Sequence, residues 1–382
     1  MRLHGHVRHP FRRSAFCFAW PPPPRRFVTT TAFDPLRVLF CGSDEFSIAS
    51  LRALHREHID RPDLIASIDV VCRPGKRVGR GLKIIREVPI AGVAKELSLP
   101  LHQIDTFEGW AAPRPYGESI NLIAAVSFGL FVPSRILQHA RYGGVNVHPS
   151  LLPDFRGPAP LQHTLLAGCT ETGVTLQALH PTRFDHGRIL AQTPPFSVET
   201  VFQDSSTVPG LMKLVAPKGA ELLIEGIRKG LFVPNKENPD IIQNNQATRS
   251  VRPAPKITPE DRHINWNTWS ADEIILRHRV IGPLWNTASS YVNGKMTKKR
   301  IIWVSGFSRS PTASQLSLRA GIPFVEQPPD SDLLALAVRA RGGAFLRIDQ
   351  AKIEGGQTRD AFLAVRHAGM LRGNSVFFDT LE

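Results

Sequence analysis

Short apolar runs ending in glycine or polar residues recur along the first half of the chain. They lie at 37–42 (RVLFCG), 65–72, 122–128 and 144–147. The run at 122–128 is apolar throughout, which is typical of a strand buried on both faces. Between the runs, Ser43 or Asp44 can cap a helix that continues to about Glu57, and 90–97 has the pattern of a second helix. Strands that alternate with helices predict an α/β domain with a doubly wound, mostly parallel sheet.

The pattern changes in the second half of the chain. Residues 235–255 are polar and rich in Pro and Asn, which indicates a linker. A helix at 271–279 follows, then an Asn293-Gly294 hairpin turn and alternating segments at 333–340 and 344–353, which together predict a small, OB-like β-barrel. We therefore expect four parts: a leader at 1–33, the α/β domain at 34–234, the linker at 235–255 and a carboxyl-terminal domain at 256–382.

The distribution of charge singles out the leader. The 382 residues carry a net charge of +14, and residues 1–33 hold six arginines and no acidic residue. An Arg-rich, acid-free amino terminus is typical of a mitochondrial transit peptide, so we predict a location in the mitochondrial matrix. The alternative is a disordered basic tail.

Three further features exclude classes of protein. The longest apolar stretch, around 120–137, contains Pro133 and Arg135 and is too interrupted to span a membrane, so we expect no membrane association. The four cysteines are scattered without a CxxC pair, which argues against a disulfide framework and against a zinc site. No G-x-G-x-x-G follows the first strand, so a dinucleotide is not the expected ligand either.

Chemistry is concentrated where the fourth strand ends. Asn146 and His148 lie there, and ligands of doubly wound sheets bind at the carboxyl ends of the strands. An amide can donate to a developing oxyanion, and an imidazole can donate or move a proton. A carboxylate would orient the imidazole, and both Asp154 and Asp185 are candidates. The set suggests that a nucleophile on one substrate attacks a carbonyl on another, without a covalent enzyme intermediate.

The surrounding sequence resembles a known family. Residues 146–179 (NVHPSLLPDFRGPAPLQHTLLAGCTETGVTLQAL) and 185–190 (DHGRIL) are similar to the signature region of the formyltetrahydrofolate-dependent formyltransferases. The resemblance implies that the catalytic residues are Asn146, His148 and Asp185. It also implies a folate site lined by Ser150, Leu151, Leu152, Pro153, Phe128 and Gly129. Pro149 and His186 depart from the family pattern, which has glycine and threonine there.

The resemblance extends over about 36–285 and implies a reaction. Residues 37–54 are similar to the family's first strand and helix, 73–83 to its basic loop, and 256–266 to the entrance of its carboxyl-terminal domain. The implied formyl donor is N10-formyltetrahydrofolate, and the implied acceptor is the α-amine of methionine esterified to an initiator tRNA. We expect a monomer and no metal. The alternatives are a formyltetrahydrofolate hydrolase and a formyltransferase that acts on a small amine.

Basic residues near the predicted site and on the second domain are candidates for contact with tRNA phosphates. They are Arg77, Arg80, Arg156, Lys298, Lys299 and Arg300. The alternatives are a solvated surface for the loop at 73–86 and a charged barrel edge that blocks aggregation for the residues near 298–300.

Overall fold

The structure is a computed structural model that describes residues 33–198, 207–233, 251–310, 319–327, 334–372, 376–377 and 381. All but the last residue of the predicted leader, and most of the predicted linker, lie outside this range.

A seven-stranded sheet organises the first half of the chain. Its strands, with four shorter strands beside it, are β1 (Leu36–Gly42), β2 (Ile65–Cys72), β3 (Lys76–Val78), β4 (Ile84–Arg86), β5 (Leu101–Gln103), β6 (Leu122–Val126), β7 (Gly144–His148), β8 (Glu171–Thr172), β9 (Thr175–Ala178), β10 (Ile189–Gln192) and β11 (Phe196–Ser197). The helices are α1 (Glu45–Asp60), α2 (Pro89–Glu96), α3 (Ser134–His139), α4 (Pro160–Leu166) and α5 (Val208–Arg228).

The order of the strands creates a switch point beside β1. The sheet runs β10-β9-β7-β6-β1-β2-β5, and the pairs from β7 to β5 are parallel, while β9 and β10 are antiparallel. From β1 the chain builds β2 and β5 on one side, and then returns to build β6 and β7 on the other. Ligands bind at the carboxyl ends of the strands at such a reversal. The predicted doubly wound, mostly parallel sheet is confirmed.

The helices are placed by caps and by close packing. The Asp44 side chain accepts a hydrogen bond from the Ser47 N–H, which caps α1 as predicted. Helix α5 packs on α1, and a Cβ at Gly219 would lie 2.8 Å from the ring of Phe46. Only glycine permits that approach. Because α5 packs so closely on α1, its first turns lie near the switch point of the sheet.

The second half of the chain forms two antiparallel sheets. Their strands are β12 (Leu284–Val292), β13 (Lys295–Ser305), β14 (Ser308–Arg309), β15 (Pro323–Glu326), β16 (Ala335–Arg339), β17 (Phe345–Ile348), β18 (Gln350–Ile353), β19 (Thr358–Asp360), β20 (Leu371–Arg372) and β21 (Val376–Phe377), with helices α6 (Ala271–Ile281) and α7 (Ala361–His367). The sheets have the orders β12-β13-β18-β19 and β14-β17-β16-β15-β21-β20. This arrangement is consistent with the predicted small barrel, and α6 packs against α4 of the first half.

The predicted hairpin turn and one alternating run can be compared directly with the structure. Asn293 and Gly294 have φ values of 54° and 74° and join β12 to β13, as an Asn-Gly turn requires. The run predicted at 344–353 is instead divided between β17 and β18, which belong to different sheets. The alternation changes phase at 349–350, where both residues are exposed and the buried positions move from 346 and 348 to 351 and 353. This shift marks the change of sheet, since a change of phase turns the side chains to the other face.

A buried asparagine links the core of the second half. The Asn286 side-chain oxygen accepts hydrogen bonds from the indole N–H groups of Trp266 and Trp303, both at 3.0 Å. Its amide donates to the Ile264 carbonyl at 2.9 Å. Buried polar groups that are satisfied in this way fix one packing of their neighbours. In the described part of the chain, no helix has the length and apolar character needed to cross a membrane.

The last five residues of the predicted linker are ordered against the first half. The Phe155 N–H donates to the Arg252 carbonyl, and the Ala254 N–H donates to the Arg156 carbonyl. Residues 251–255 are therefore part of the folded unit rather than a free connection. The other predicted domain boundaries stay predictions.

Candidate active site

A cavity of about 510 Å³ opens at the switch point of the sheet. Asp44 follows β1, the turn after β6 contributes the segment 127–132, and Asn146 and His148 end β7. Val208 and Met212 of α5 form part of another wall. Phe128 and Gly129, which the family resemblance assigns to the folate site, are among the lining residues. The cavity therefore lies where a doubly wound sheet binds its ligands.

The three predicted catalytic side chains meet in this cavity. Asn146 Nδ2 donates to Asp185 Oδ1 at 3.0 Å, and His148 Nδ1 lies 3.6 Å from the same oxygen. Asp185 is 39 residues from Asn146 in sequence. The structure thus selects Asp185, and not Asp154, as the carboxylate beside the imidazole.

The backbone around Asp185 accounts for its position. Asp185 has φ 52°, a left-handed conformation that few non-glycine residues adopt. Arg156 Nε donates to the Asp185 carbonyl at 2.7 Å. A Cβ at Gly187 would collide with the Ala178 carbonyl, so the loop lies directly on the backbone of β9. These contacts fix a loop whose place could not be inferred from spacing.

Gln177 is a site residue that the sequence analysis missed. It is buried, and its Nε2 donates to Asp185 Oδ1 at 3.2 Å. Its side-chain oxygen is buried and has no hydrogen-bond partner among the residues that the structure describes. A glutamine between Leu176 and Ala178 in a short strand was a usable signal, because buried polar side chains need partners.

His148 is held in one tautomer by a backbone carbonyl. Its Nε2 lies 3.0 Å from the Phe155 oxygen, and a carbonyl can only accept, so Nε2 carries the proton. Burial lowers the pKa of His148 below its ordinary value; the Asp185 carboxylate and the Phe155 carbonyl act in the opposite direction, and Arg156 adds to the lowering. The neutral ring then presents the lone pair of Nδ1 to Asp185.

Asp44 is a second acid at the cavity that the sequence analysis treated only as a cap. Burial raises the pKa of its carboxyl above the ordinary value, while hydrogen bonds from the Ser47 N–H and the Ser127 hydroxyl oppose that rise. Its capping bond engages it with α1 rather than with His148.

Four residues predicted to line the folate site lie outside the lining of this cavity. Ser150 and Leu152 are buried, and Leu151 and Pro153 border a different hollow of about 450 Å³. The Ser150 hydroxyl donates to the Asp154 carbonyl at 2.7 Å, and the Leu152 N–H donates to Thr175 Oγ1 at 3.0 Å. These bonds hold Ser150 and Leu152 inside the domain. Their predicted folate contact stays a prediction.

The predicted tRNA-binding residues fall into separate places. Arg77 is exposed on the β3–β4 hairpin, and the side chain of Arg80 lies outside what the structure describes. Half-buried Arg156 belongs to the cavity loop through its bond to Asp185. Lys298, Lys299 and Arg300 lie on β13, where the Arg300 guanidinium is 4.4 Å from the centre of the Trp285 ring.

A mostly parallel sheet with an amide, an imidazole and a carboxylate at its switch point is the arrangement that the resemblance to the formyltransferases implied. The sequence model of the formyl transferase family matches residues 36–226, which contain all three side chains. The chain belongs to the formyl transferase family.

Its relatives narrow the class further. The chain is similar to the protein named mitochondrial methionyl-tRNA formyltransferase of Saccharomyces cerevisiae, at 36% identity over 68% of this chain and 72% of the relative. It is similar to methionyl-tRNA formyltransferase of Methylobacillus flagellatus at 29% identity over 86% and 96%. Among solved structures it is similar to a sugar 3N-formyl transferase crystallised with dTDP and 5-N-formyl-THF, at 14% identity and a TM-score of 0.47, over 82% and 97% of the two chains. The sequence relatives confirm the family resemblance.

Proposed function

We propose that this protein is a methionyl-tRNA formyltransferase, which moves the formyl group of N10-formyltetrahydrofolate to the α-amine of methionine on an initiator tRNA. The observation that carries the proposal is the contact of Asn146, His148 and Asp185 at one cavity, in a chain whose relatives are named methionyl-tRNA formyltransferases. The similarity to the Methylobacillus flagellatus methionyl-tRNA formyltransferase covers 96% of that protein, so it extends beyond the residues 36–226 that the formyl transferase model matches. This extent supports a tRNA substrate over a small amine.

The cavity suits a flat, partly apolar donor. Phe128, Leu130 and Val132 supply apolar surface, and the polar groups of Asn146 and Asp185 are gathered at one side. Small-molecule sites have this composition, with a few polar groups that fix orientation. We assign the folate ring system to the apolar part, with its formyl group toward Asn146.

Asn146 has one amide N–H left for the substrate. The other N–H is bonded to Asp185, which orients the amide toward the cavity. As the amine attacks the formyl carbon, negative charge grows on the formyl oxygen, and a fixed N–H donor stabilises that charge more in the transition state than in the ground state. Asn146 therefore acts as the oxyanion donor.

Asp185 and His148 handle the proton. The attacking amine must lose one proton, and the folate N10 must gain one when its bond to the formyl carbon breaks. Asp185 Oδ1 and the lone pair of His148 Nδ1 face each other at 3.6 Å and can hold that proton between the two steps. When Nδ1 is protonated, His148 also becomes a second donor to the formyl oxygen.

Formate release separates this function from hydrolysis of the same folate. A hydrolase uses water as the acceptor, so it releases formate from formyltetrahydrofolate alone. We expect formate release without tRNA to be negligible, and formyl consumption to begin when charged initiator tRNA is added. Equal rates of folate consumption with and without tRNA would establish the hydrolase instead.

Neutralising Lys298, Lys299 and Arg300 together, each by glutamine, is expected to raise the KM for tRNA and leave the KM for folate unchanged. Each lost phosphate contact should also remove about one unit from the dependence of log affinity on log salt. The control removes the same charge elsewhere, through Arg52 of α1 and through Arg61 and Lys229, which directly follow α1 and α5. An unchanged KM and salt dependence in the β13 variant would show that the cluster is only a charged barrel edge that blocks aggregation. Contact of Arg77 and Arg80 with tRNA phosphates stays a prediction.

Residues 1–33 are expected to carry a reporter protein into mitochondria, because their charge pattern is that of a transit peptide. The same fusion with its six arginines replaced by glutamine should stay in the cytosol. A chain that begins near Ala32 should also stay there and keep its activity in vitro. The name of the yeast relative supports this location. A cytosolic reporter in the unaltered fusion would refute it.

A further inference from the structure

Residues 251–255, which we call the strap, lie alongside the loop that follows the catalytic strand. The Phe155 N–H donates to the Arg252 carbonyl at 2.6 Å, and the Ala254 N–H donates to the Arg156 carbonyl at 2.8 Å. A Cβ at Gly157 would collide with the Ala254 carbonyl, so the two backbones are as close as glycine allows. The loop and the strap therefore form one small bonded unit.

The Arg252 side chain fastens this unit. Its Nη2 lies 2.9 Å from Asp154 Oδ2, and its backbone N–H donates to Asp154 Oδ1 at 3.2 Å. Its Nη1 donates to Cys169 Sγ at 3.1 Å, and the guanidinium carbon is 4.4 Å from the centre of the Phe155 ring. The Arg252 side chain thus contacts both Asp154 and Phe155 from outside the catalytic cavity.

Phe155 connects the strap to the chemistry. Its carbonyl is the group that accepts from His148 Nε2. Phe155 has φ 56°, a left-handed conformation that a bulky residue keeps only where its surroundings hold it. The strap holds Phe155 at its N–H and at its ring, while His148 meets the carbonyl of the same residue.

We propose that Arg252 is a positioning residue for formyl transfer: it holds Phe155 so that His148 keeps its proton on Nε2 and turns Nδ1 toward Asp185. The rate part of this proposal rests on the proposed function. A loosened strap would let the Phe155 carbonyl move away, and the ring would then lose both its orientation and its single tautomer.

Replacing Arg252 with methionine tests the proposal by splitting kcat from KM. We expect kcat to fall about tenfold to a hundredfold, since a misplacement of about 1 Å costs a rate factor of that order. The KM for folate and for tRNA should stay close to those of the unaltered protein. Arg252→Lys keeps the charge but loses the guanidinium, whose several N–H groups can bond two partners at once, so it should give an intermediate kcat.

Arg228→Met is the matched control. Arg228 also forms a bidentate ion pair with a carboxylate, Glu57, but away from the cavity. This variant should keep the kcat of the unaltered protein. A kcat that falls equally in both variants would overturn the proposal, as would a rise in the KM for tRNA with kcat unchanged in Arg252→Met.

Nitrogen-15 NMR of the imidazole gives a readout that needs no substrate. The His148 signals, assigned by their loss in His148→Ala, should show the proton on Nε2 in the unaltered protein and a mixture of tautomers in Arg252→Met. Unchanged His148 signals in Arg252→Met would overturn the proposal. If the unaltered protein transfers no formyl group, the proposed function fails while this NMR comparison still decides the role of Arg252.

Discussion

Alanine at Asn146, His148 or Asp185 is expected to lower kcat for formyl transfer by at least about two to three powers of ten, the cost typical of one lost oxyanion donor. Asn146 Nδ2 and His148 Nδ1 lie 3.0 and 3.6 Å from the same oxygen, Asp185 Oδ1. Loss of one side chain therefore also removes a contact that orients the others. Binding of folate should change much less, because the apolar wall of the cavity is untouched. Steady-state kinetics with charged tRNA and a folate binding titration measure both effects.

The same contacts predict that the losses do not add. His148→Ala and Asp185→Ala combined should cost little more than either alone, since groups that act as a unit fail together. His102→Ala is the control: His102 also pairs with a carboxylate, Asp69 Oδ1, at 2.8 Å, but at the β2–β5 edge of the sheet. Its kcat should stay near that of the unaltered protein. Near-normal turnover in His148→Ala would show that His148 takes no part in the reaction.

Gly187→Ala is expected to lower kcat by about a hundredfold, although Gly187 touches no substrate. Its new methyl group would overlap the Ala178 carbonyl, which belongs to β9 and cannot give way as the end of a side chain can. The loop must then lift, and it carries Asp185 away from Asn146 and His148. A displacement of about 1 Å at a reacting group is enough for this loss.

Gly92→Ala is the matched control for this substitution. Gly92 lies within α2, and a Cβ there meets nothing within 4 Å. Alanine is the better helix former, so this variant should keep its activity and be slightly more stable. If Gly187→Ala keeps the activity of Gly92→Ala, the loop does not depend on its contact with β9.

The sequence predicted the elements whose signals are local. Strand β2, predicted at 65–72, and the Asn293-Gly294 turn were placed correctly, because burial and turn geometry act on neighbouring residues. Asn146 and His148 could be placed at the switch point because strand ends can be read from the pattern. The pairing of Asp185 with them came from the family resemblance, since the left-handed turn that directs it leaves no signature in composition.

What the sequence did not predict depends on contacts between distant segments. Arg252 lies in a polar stretch that has the composition of a linker, and only the fold shows that it pairs with Asp154, 98 residues away. The burial of Ser150 and Leu152 is likewise set by Thr175 on β9. Gln177 could have been found, because a polar side chain in a buried strand calls for a partner.

Delivery of a formyl group to an aminoacyl-tRNA is the function that we propose for the Asn146–His148–Asp185 cluster. Its most direct test is to incubate the chain from residue 34 onward with formyltetrahydrofolate and methionine-charged initiator tRNA, and to analyse the amino acid released from the tRNA. The result we predict is N-formylmethionine, formed in step with tetrahydrofolate and lost in Asp185→Ala. Recovery of methionine alone, with formate in solution or with the folate unconsumed, would contradict the account.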